Sequence, residues 1–163
     1  PFNDQANYYY IDCLYQQTLR YELDQAPTYK ALAFIEEYIK QHPNTEYKGE
    51  FDEIIVELNE RLDKKALEAA KIYYHTEDFK ASQYAFRAAI KEDPTNIYRE
   101  ELMYYLTLSS YKYAFNSVPE KQRERYMTFT DDYYSFVSEF EESEYRKELD
   151  NLSRKVQKIL EKK

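Results

Sequence analysis

The sequence predicts an all-α fold built from repeated helical hairpins, and three observations indicate it. The 163 residues include one glycine, which leaves few of the tight turns that β-hairpins require. Apolar residues recur at helical spacing along most of the chain. A polar segment that ends one helix and opens the next, residues 40–50, returns as 91–101 and more weakly as 138–148, where Glu141 replaces the proline. Such recurrence is typical of proteins whose helix pairs stack on one another.

The first half of the chain is predicted to hold three helices. A first helix spans about 4–22, and a second begins at Ala26-Pro27-Thr28, because proline is favoured in the first helical turn, and runs to Gln41. From Tyr47 to His75 no proline interrupts the chain, so one long helix or two nearly collinear ones are expected. Two apolar stripes at helical spacing support these assignments: Leu32, Phe34, Ile35, Tyr38 and Ile39, then Phe51, Ile54, Ile55, Leu58 and Leu62.

The second half is predicted to hold four helices. The turn 75–78 leads into a helix over 79–91, and the turn 93–96 leads into a helix over 97–115. A connection containing Pro119 precedes a helix over 121–140. The last helix, 143–160, has one apolar stripe on an otherwise charged surface, which a terminal capping element needs in order to cover a repeat while facing water. That stripe consists of Leu149, Leu152, Val156 and Ile159.

The central helix pair fits the tetratricopeptide pattern, a helix-turn-helix unit of about 34 residues in which small and large positions let two helices approach closely. Counting back from Pro94, the positions of the pattern fall on Ala70, Tyr73, Ser82, Phe86 and Ala89. We therefore predict a single tetratricopeptide-like domain over 1–163, in which antiparallel hairpins stack as a right-handed α-solenoid. Its expected units are residues 4–41, 47–92 and 97–140, followed by the capping helix 143–160.

Composition and motifs argue against catalysis, cofactors and nucleic acid. The net charge of −8 disfavours a nucleic-acid partner, although residues 146–163 carry seven basic and three acidic side chains. The lone Cys13 permits neither an intrachain disulfide nor a thiolate metal site. His42 and His75 fall at predicted helix ends, and no phosphate-binding loop or nucleophile motif is present. We expect no catalytic, cofactor-binding or metal-binding residue.

The candidate binding residues lie on predicted helix surfaces. Tyr73 and Tyr74 point about 100° apart on a helix; Tyr73, on the packing position of the pattern, is expected to be structural and Tyr74 to contact a partner. Gln83, Arg87 and Lys91 share one face at four-residue steps, and the two cations could meet an acidic partner. The alternative for this face is simple solvation.

These features together resemble the BamD (YfiO-like) family of tetratricopeptide lipoproteins of the bacterial envelope, over its C-terminal two-thirds. The resemblance is ordered over about 24–98. It rests on the segments 24–27, 42–47, 59–62, 68–74 and 79–94.

The resemblance implies a non-catalytic scaffold subunit of the machinery that inserts β-barrel proteins, at the periplasmic face of the outer membrane. Its partners would be the POTRA domains of the barrel subunit and accessory lipoproteins, and it would meet the membrane only through a lipid anchor, which we expect to be absent from this chain. A basic residue that family members place toward the barrel subunit aligns with Ala85, and Arg87, two residues away, is the candidate contact. The alternative function is a generic tetratricopeptide module that captures extended peptides in a concave groove.

Overall fold

The computed structural model of the chain describes residues 2–161, and within that range all regular structure is helical. The all-α prediction is confirmed, and the helices after the first begin and end within about three residues of their expected positions. The predicted alternative of one uninterrupted helix after Tyr47 is the one observed. The seven helices are α1 (Phe2–Gln16), α2 (Ala26–Gln41), α3 (Lys48–His75), α4 (Phe79–Glu92), α5 (Arg99–Phe115), α6 (Pro119–Glu139) and α7 (Arg146–Glu161).

The chain divides into two compact units, Pro1–Lys65 and Ala66–Lys163, with the boundary inside α3. The first unit therefore holds α1, α2 and the N-terminal part of α3, and the second holds the rest. A single right-handed solenoid over 1–163 with the three expected repeat units stays a prediction.

Unit one is built around an apolar core that the sequence pattern anticipated. Ile11 of α1, Ile35 of α2 and Phe51 of α3 are fully buried in one cluster. Leu14 and Leu58 are buried in a neighbouring cluster. The apolar stripes predicted for α2 and α3 thus face the core, since every third or fourth residue of a helix returns to the same side.

The helix predicted over 4–22 ends early, at Gln16. The chain after it turns back, and its backbone carbonyls are held by side chains from other elements. The buried Gln25 amide donates to the Arg20 carbonyl at 2.9 Å, and the Lys65 ammonium of α3 donates to the Tyr21 carbonyl at 3.0 Å. These tertiary hydrogen bonds replace the ones that another helical turn would supply.

Unit two has a core in which α5 is the most enclosed helix. Leu67 and Ala70 of α3, Phe86 of α4 and Leu102 of α5 form one buried cluster. Phe136 of α6 joins a second cluster. The other helices are amphipathic, but α5 is buried on several sides by its neighbours. Its buried residues are Leu102, Met103, Leu106, Thr107, Leu108, Ser109, Ser110 and Ala114.

The recurring polar segment folds into the same turn in all three copies. In each, a polar side chain accepts a hydrogen bond from the backbone N–H of the tyrosine two residues later: Thr45 at 3.5 Å, Asn96 at 2.8 Å and Ser143 at 3.1 Å. Such local bonds favour turns over continued helix. The third copy forms the turn with Glu141 in place of proline, so the proline is not required. The three tyrosines are Tyr47, Tyr98 and Tyr145.

The helix α7 packs on unit two through a stripe slightly different from the predicted one. Leu149 and Val156 are buried as expected, and Leu152 is half-buried. The prediction for Ile159 is wrong, because this side chain is 42% exposed and Leu160 packs in its place. The spacing of the packed residues is then three, four and four, close to the 3.6-residue period of a straight helix.

Candidate functional site

A groove on unit two brings α4, the end of α5 and α6 together around a cavity of about 350 Å³. Helix α4 contributes one wall and α6 the other, and one ring of α5 lies between them. Its lining residues are Lys80, Gln83, Tyr84, Arg87, Tyr113, Lys121, Glu124, Arg125 and Thr128.

The charges of this groove oppose those of the whole chain. Lys80, Arg87, Lys121 and Arg125 carry positive charge and Glu124 alone is acidic among the lining residues, whereas the chain as a whole carries −8. A cleft lined mainly by one sign of charge concentrates its potential and attracts groups of the opposite sign. The groove is therefore suited to an anionic group.

One lining residue of the groove, Arg87, is held by a buried carboxylate that joins three helices. Asp132 of α6 is 6% exposed, and Arg87 of α4 places Nη2 at 2.7 Å from both of its carboxylate oxygens. The Ser110 hydroxyl of α5 donates to Asp132 Oδ2. Burial raises the pKa of Asp132, although the bonds from Ser110 and Arg87 act in the opposite direction. The group is thus a charge-assisted tie whose anionic form depends on its two donors.

Small polar residues let α4 and α5, which both line the groove, approach each other closely. Ser82 of α4 and Ser109 of α5 are both buried, and their hydroxyl oxygens lie 2.7 Å apart. At the adjacent positions, Ser110 Oγ lies 3.2 Å from Gln83 Oε1. Small side chains allow two helix backbones to come near each other, and the hydroxyl pair satisfies its own buried polar atoms. The groove is consequently set on a rigid three-helix contact.

The four cations of the groove differ in their bonding. Arg87 is bound to Asp132, and the Arg125 guanidinium lies 3.9 Å from the centre of the Tyr113 ring. Lys80 and Lys121 are exposed, and within residues 4–161 neither makes a hydrogen bond or an ion pair. Two cations thus shape the groove and two are available to a ligand.

The structure brings together only part of the predicted binding set. Gln83 and Arg87 line the groove. Lys91 is exposed but is not part of its lining. Arg87 is bound by Asp132, which lies 45 residues away in the sequence, and its role as a partner contact stays a prediction.

The two adjacent tyrosines are buried in the opposite order to the one expected. Tyr73 is 45% exposed, whereas Tyr74 packs in the core clusters of unit two and meets Tyr105 edge-on with ring centres 5.1 Å apart. The physical reason is the helix register: Tyr74 lies four residues after the buried Ala70 and seven after Leu67, so it shares their face. A partner contact by Tyr74 stays a prediction, and Tyr73 is the more accessible of the two.

Sequence reasoning missed most of the groove. Lys80, Tyr84 and Arg87 follow a four-then-three spacing on α4, which marks one helix face and could have indicated the near wall. The far wall comes from α6, and its Lys121 and Arg125 are more than 30 residues further along the chain. No local signal pairs the two helices.

The described residues form neither a metal-binding cluster nor a membrane-spanning helix. Across the described part of the chain, no three His, Cys, Asp or Glu side chains come together as a metal ion would need. None of the helices in residues 2–161 is sufficiently long and apolar to cross a bilayer. His42 and His75 are exposed at the ends of α2 and α3.

Comparison with known proteins indicates the relationship of the chain. The sequence profile of the YfiO family, described as an outer membrane lipoprotein, matches residues 3–82. The outer membrane protein assembly factor BamD of Caulobacter vibrioides is 28% identical over 109 residues, which is 65% of this chain. By sequence, this chain is similar to BamD.

The chain spans about a third of its relative, since the matched region is 36% of the Caulobacter protein. The family profile covers helices of both units. It includes four of the five segments that carry the resemblance and the first four residues of the fifth, 79–94. Ala85 packs against the core of unit two.

Proposed function

We propose that this chain is a non-catalytic scaffold subunit in the assembly of outer-membrane β-barrel proteins. It would dock on the periplasmic POTRA domains of the barrel subunit and hold accessory lipoproteins nearby, at the periplasmic face of the outer membrane. The observation that carries the proposal is the similarity to BamD over 65% of the chain. The family profile, with its description as an outer membrane lipoprotein, supports the location.

The construction of unit two suits a docking role. Docking to a preformed surface loses less conformational entropy than docking to a flexible one, and the groove is fixed by bonds that join three helices. The remaining predicted contact, Lys91, is exposed at the end of α4 and within the described residues has no hydrogen bond or ion pair.

The proposal is tested by titration calorimetry of the chain against the purified POTRA domains of the same organism. Lys91→Glu is the informative variant, and Lys40→Glu is its matched control, because Lys40 occupies the same place in the first copy of the recurring turn and is equally exposed. Reversing one contact charge at a rim is expected to weaken binding about fivefold or more, while the control should bind like the unaltered chain.

The outcomes separate the candidate functions. Saturable binding that Lys91→Glu weakens and Lys40→Glu does not supports the docking role. If the folded chain binds no POTRA domain but binds extended peptides, it is a peptide-capturing module and the docking proposal fails. Circular dichroism of each variant establishes that the comparison is made between folded proteins.

A further inference from the structure

We infer that the groove between α4 and α6 receives a carboxylate-bearing segment of a partner protein, with Lys80 and Lys121 as the direct contacts. The inference rests on the proposed docking function and specifies the chemistry of one docking site. Neither lysine belongs to the binding set predicted from the sequence, and both line the groove.

The two arginines of the groove are already bound within the protein. Arg87 is bound by the buried Asp132, and releasing it would leave an ionised carboxylate without its cation, which is costly in a buried site. The Arg125 guanidinium stacks on Tyr113 and donates to Ser117. Both arginines are therefore positioning residues that shape the groove.

The two lysines of the groove, unlike its arginines, are not bound to other side chains of the described residues. Lys80 and Lys121 line opposite walls, on α4 and α6, and are exposed with no bonded partner in the described part of the chain. Because the two ammonium groups line one groove, an anion bound there is attracted by both. A single carboxylate, or two on neighbouring residues, satisfies this arrangement.

Aromatic and acidic residues of the groove indicate the class of its ligand. Tyr84 is 68% exposed on the near wall and the Tyr113 ring lies within the groove, and tyrosine is enriched at protein interfaces because its ring packs while its hydroxyl stays hydrated. Glu124 lies in the same groove and opposes a ligand of uniform negative charge. The net charge of −8 also opposes an anionic bilayer or nucleic acid. These features favour a protein segment that combines acidic and aromatic residues.

The inference is tested with a fluorescein-labelled peptide of alternating glutamate and tyrosine, about eight residues long, and its counterpart with glutamine replacing glutamate. Fluorescence anisotropy is measured for the unaltered chain, for Lys80→Glu with Lys121→Glu, and for the matched control Lys40→Glu with Lys155→Glu. Both pairs change the net charge equally, and the control lysines are exposed outside the groove. We expect the groove pair to lose at least about tenfold in affinity and the control pair less than about twofold.

The outcomes of these binding measurements distinguish the groove inference from its alternatives. Equal binding of the acidic and neutral peptides, or equal losses in both variant pairs, overturns the inference. Binding to phosphatidylglycerol vesicles that needs the two lysines, without binding of the acidic peptide, overturns it in favour of a lipid headgroup. If the POTRA domains bind the chain and the acidic peptide does not, the groove inference fails alone. If the acidic peptide binds through the lysines and the POTRA domains do not bind, the proposed partner fails and the site stands.

Discussion

Removing the Arg87 side chain should destabilise the fold, because it leaves Asp132 buried and charged. Asp132 is 6% exposed and receives both carboxylate contacts from one Arg87 nitrogen at 2.7 Å. A hydrogen bond to a charged group contributes about 1.5–3 kcal/mol, and breaking a fully buried ion pair costs about 3–5 kcal/mol. The Arg87 side chain is 45% exposed, so solvent screening places Arg87→Ala near the lower end, at about 2 kcal/mol.

The assay is thermal and urea unfolding followed by circular dichroism. For a chain of this size about 2 kcal/mol corresponds to a fall of roughly 4–8 °C in Tm. The double variant Arg87→Ala with Asp132→Asn should be more stable than Arg87→Ala alone, because the neutral amide keeps a hydrogen bond with Ser110 and removes the buried charge. Lys91→Ala, an exposed cation on the same helix, is the control and should change stability by less than about 0.5 kcal/mol.

The pH dependence follows from the direction of the Asp132 pKa. Burial raises this pKa above its unfolded value, so the native state binds the proton more tightly than the unfolded state does. Relative to neutral pH, Asp132 therefore adds stability as the pH falls through its folded pKa toward the unfolded one. Loss of Arg87 raises the folded pKa further, and the penalty of Arg87→Ala should shrink on acidification. A penalty no larger than that of Lys91→Ala, or one that grows as the pH falls, would refute the reasoning.

Two further predictions concern the region where α3 meets α4. Tyr74→Ala should lower the free energy of unfolding by about 2 kcal/mol, because a half-buried ring with several aromatic neighbours is lost. Tyr73→Ala should change this free energy by less than about 0.5 kcal/mol. Equal effects of the two substitutions in urea unfolding would contradict the deeper burial of Tyr74. Glu77 has a φ of 61° in the turn before α4, a conformation that costs a non-glycine residue about 1–2 kcal/mol. Glu77→Gly should therefore raise Tm by about 2 °C or more. An unchanged or lower Tm would argue against backbone strain at this position.

The sequence by itself determined the features that depend on neighbouring residues. The all-α class, the helical character of the whole stretch after Tyr47 and the three equivalent turns follow from helical periodicity, proline placement and polar residues that bond to their own backbone. That this stretch is one helix and not two collinear ones was decided by the structure. The small and aromatic positions of the tetratricopeptide pattern were also correctly placed in part, since Ala70, Ser82 and Phe86 are buried as expected. These features are readable because the interactions that create them span fewer than about five residues.

The tertiary structure alone decided which surfaces are exposed and which charges are available. The early end of α1 depends on Gln25 and on Lys65, which lies on a different helix. Arg87 is bound by Asp132, which lies 45 residues away in the sequence. The groove forms between α4 and α6, which are not neighbours in the sequence. Periodicity marks the face of a helix, but it does not say which helix covers that face or which side chain opposes it, because those partners are chosen by packing among all the helices at once.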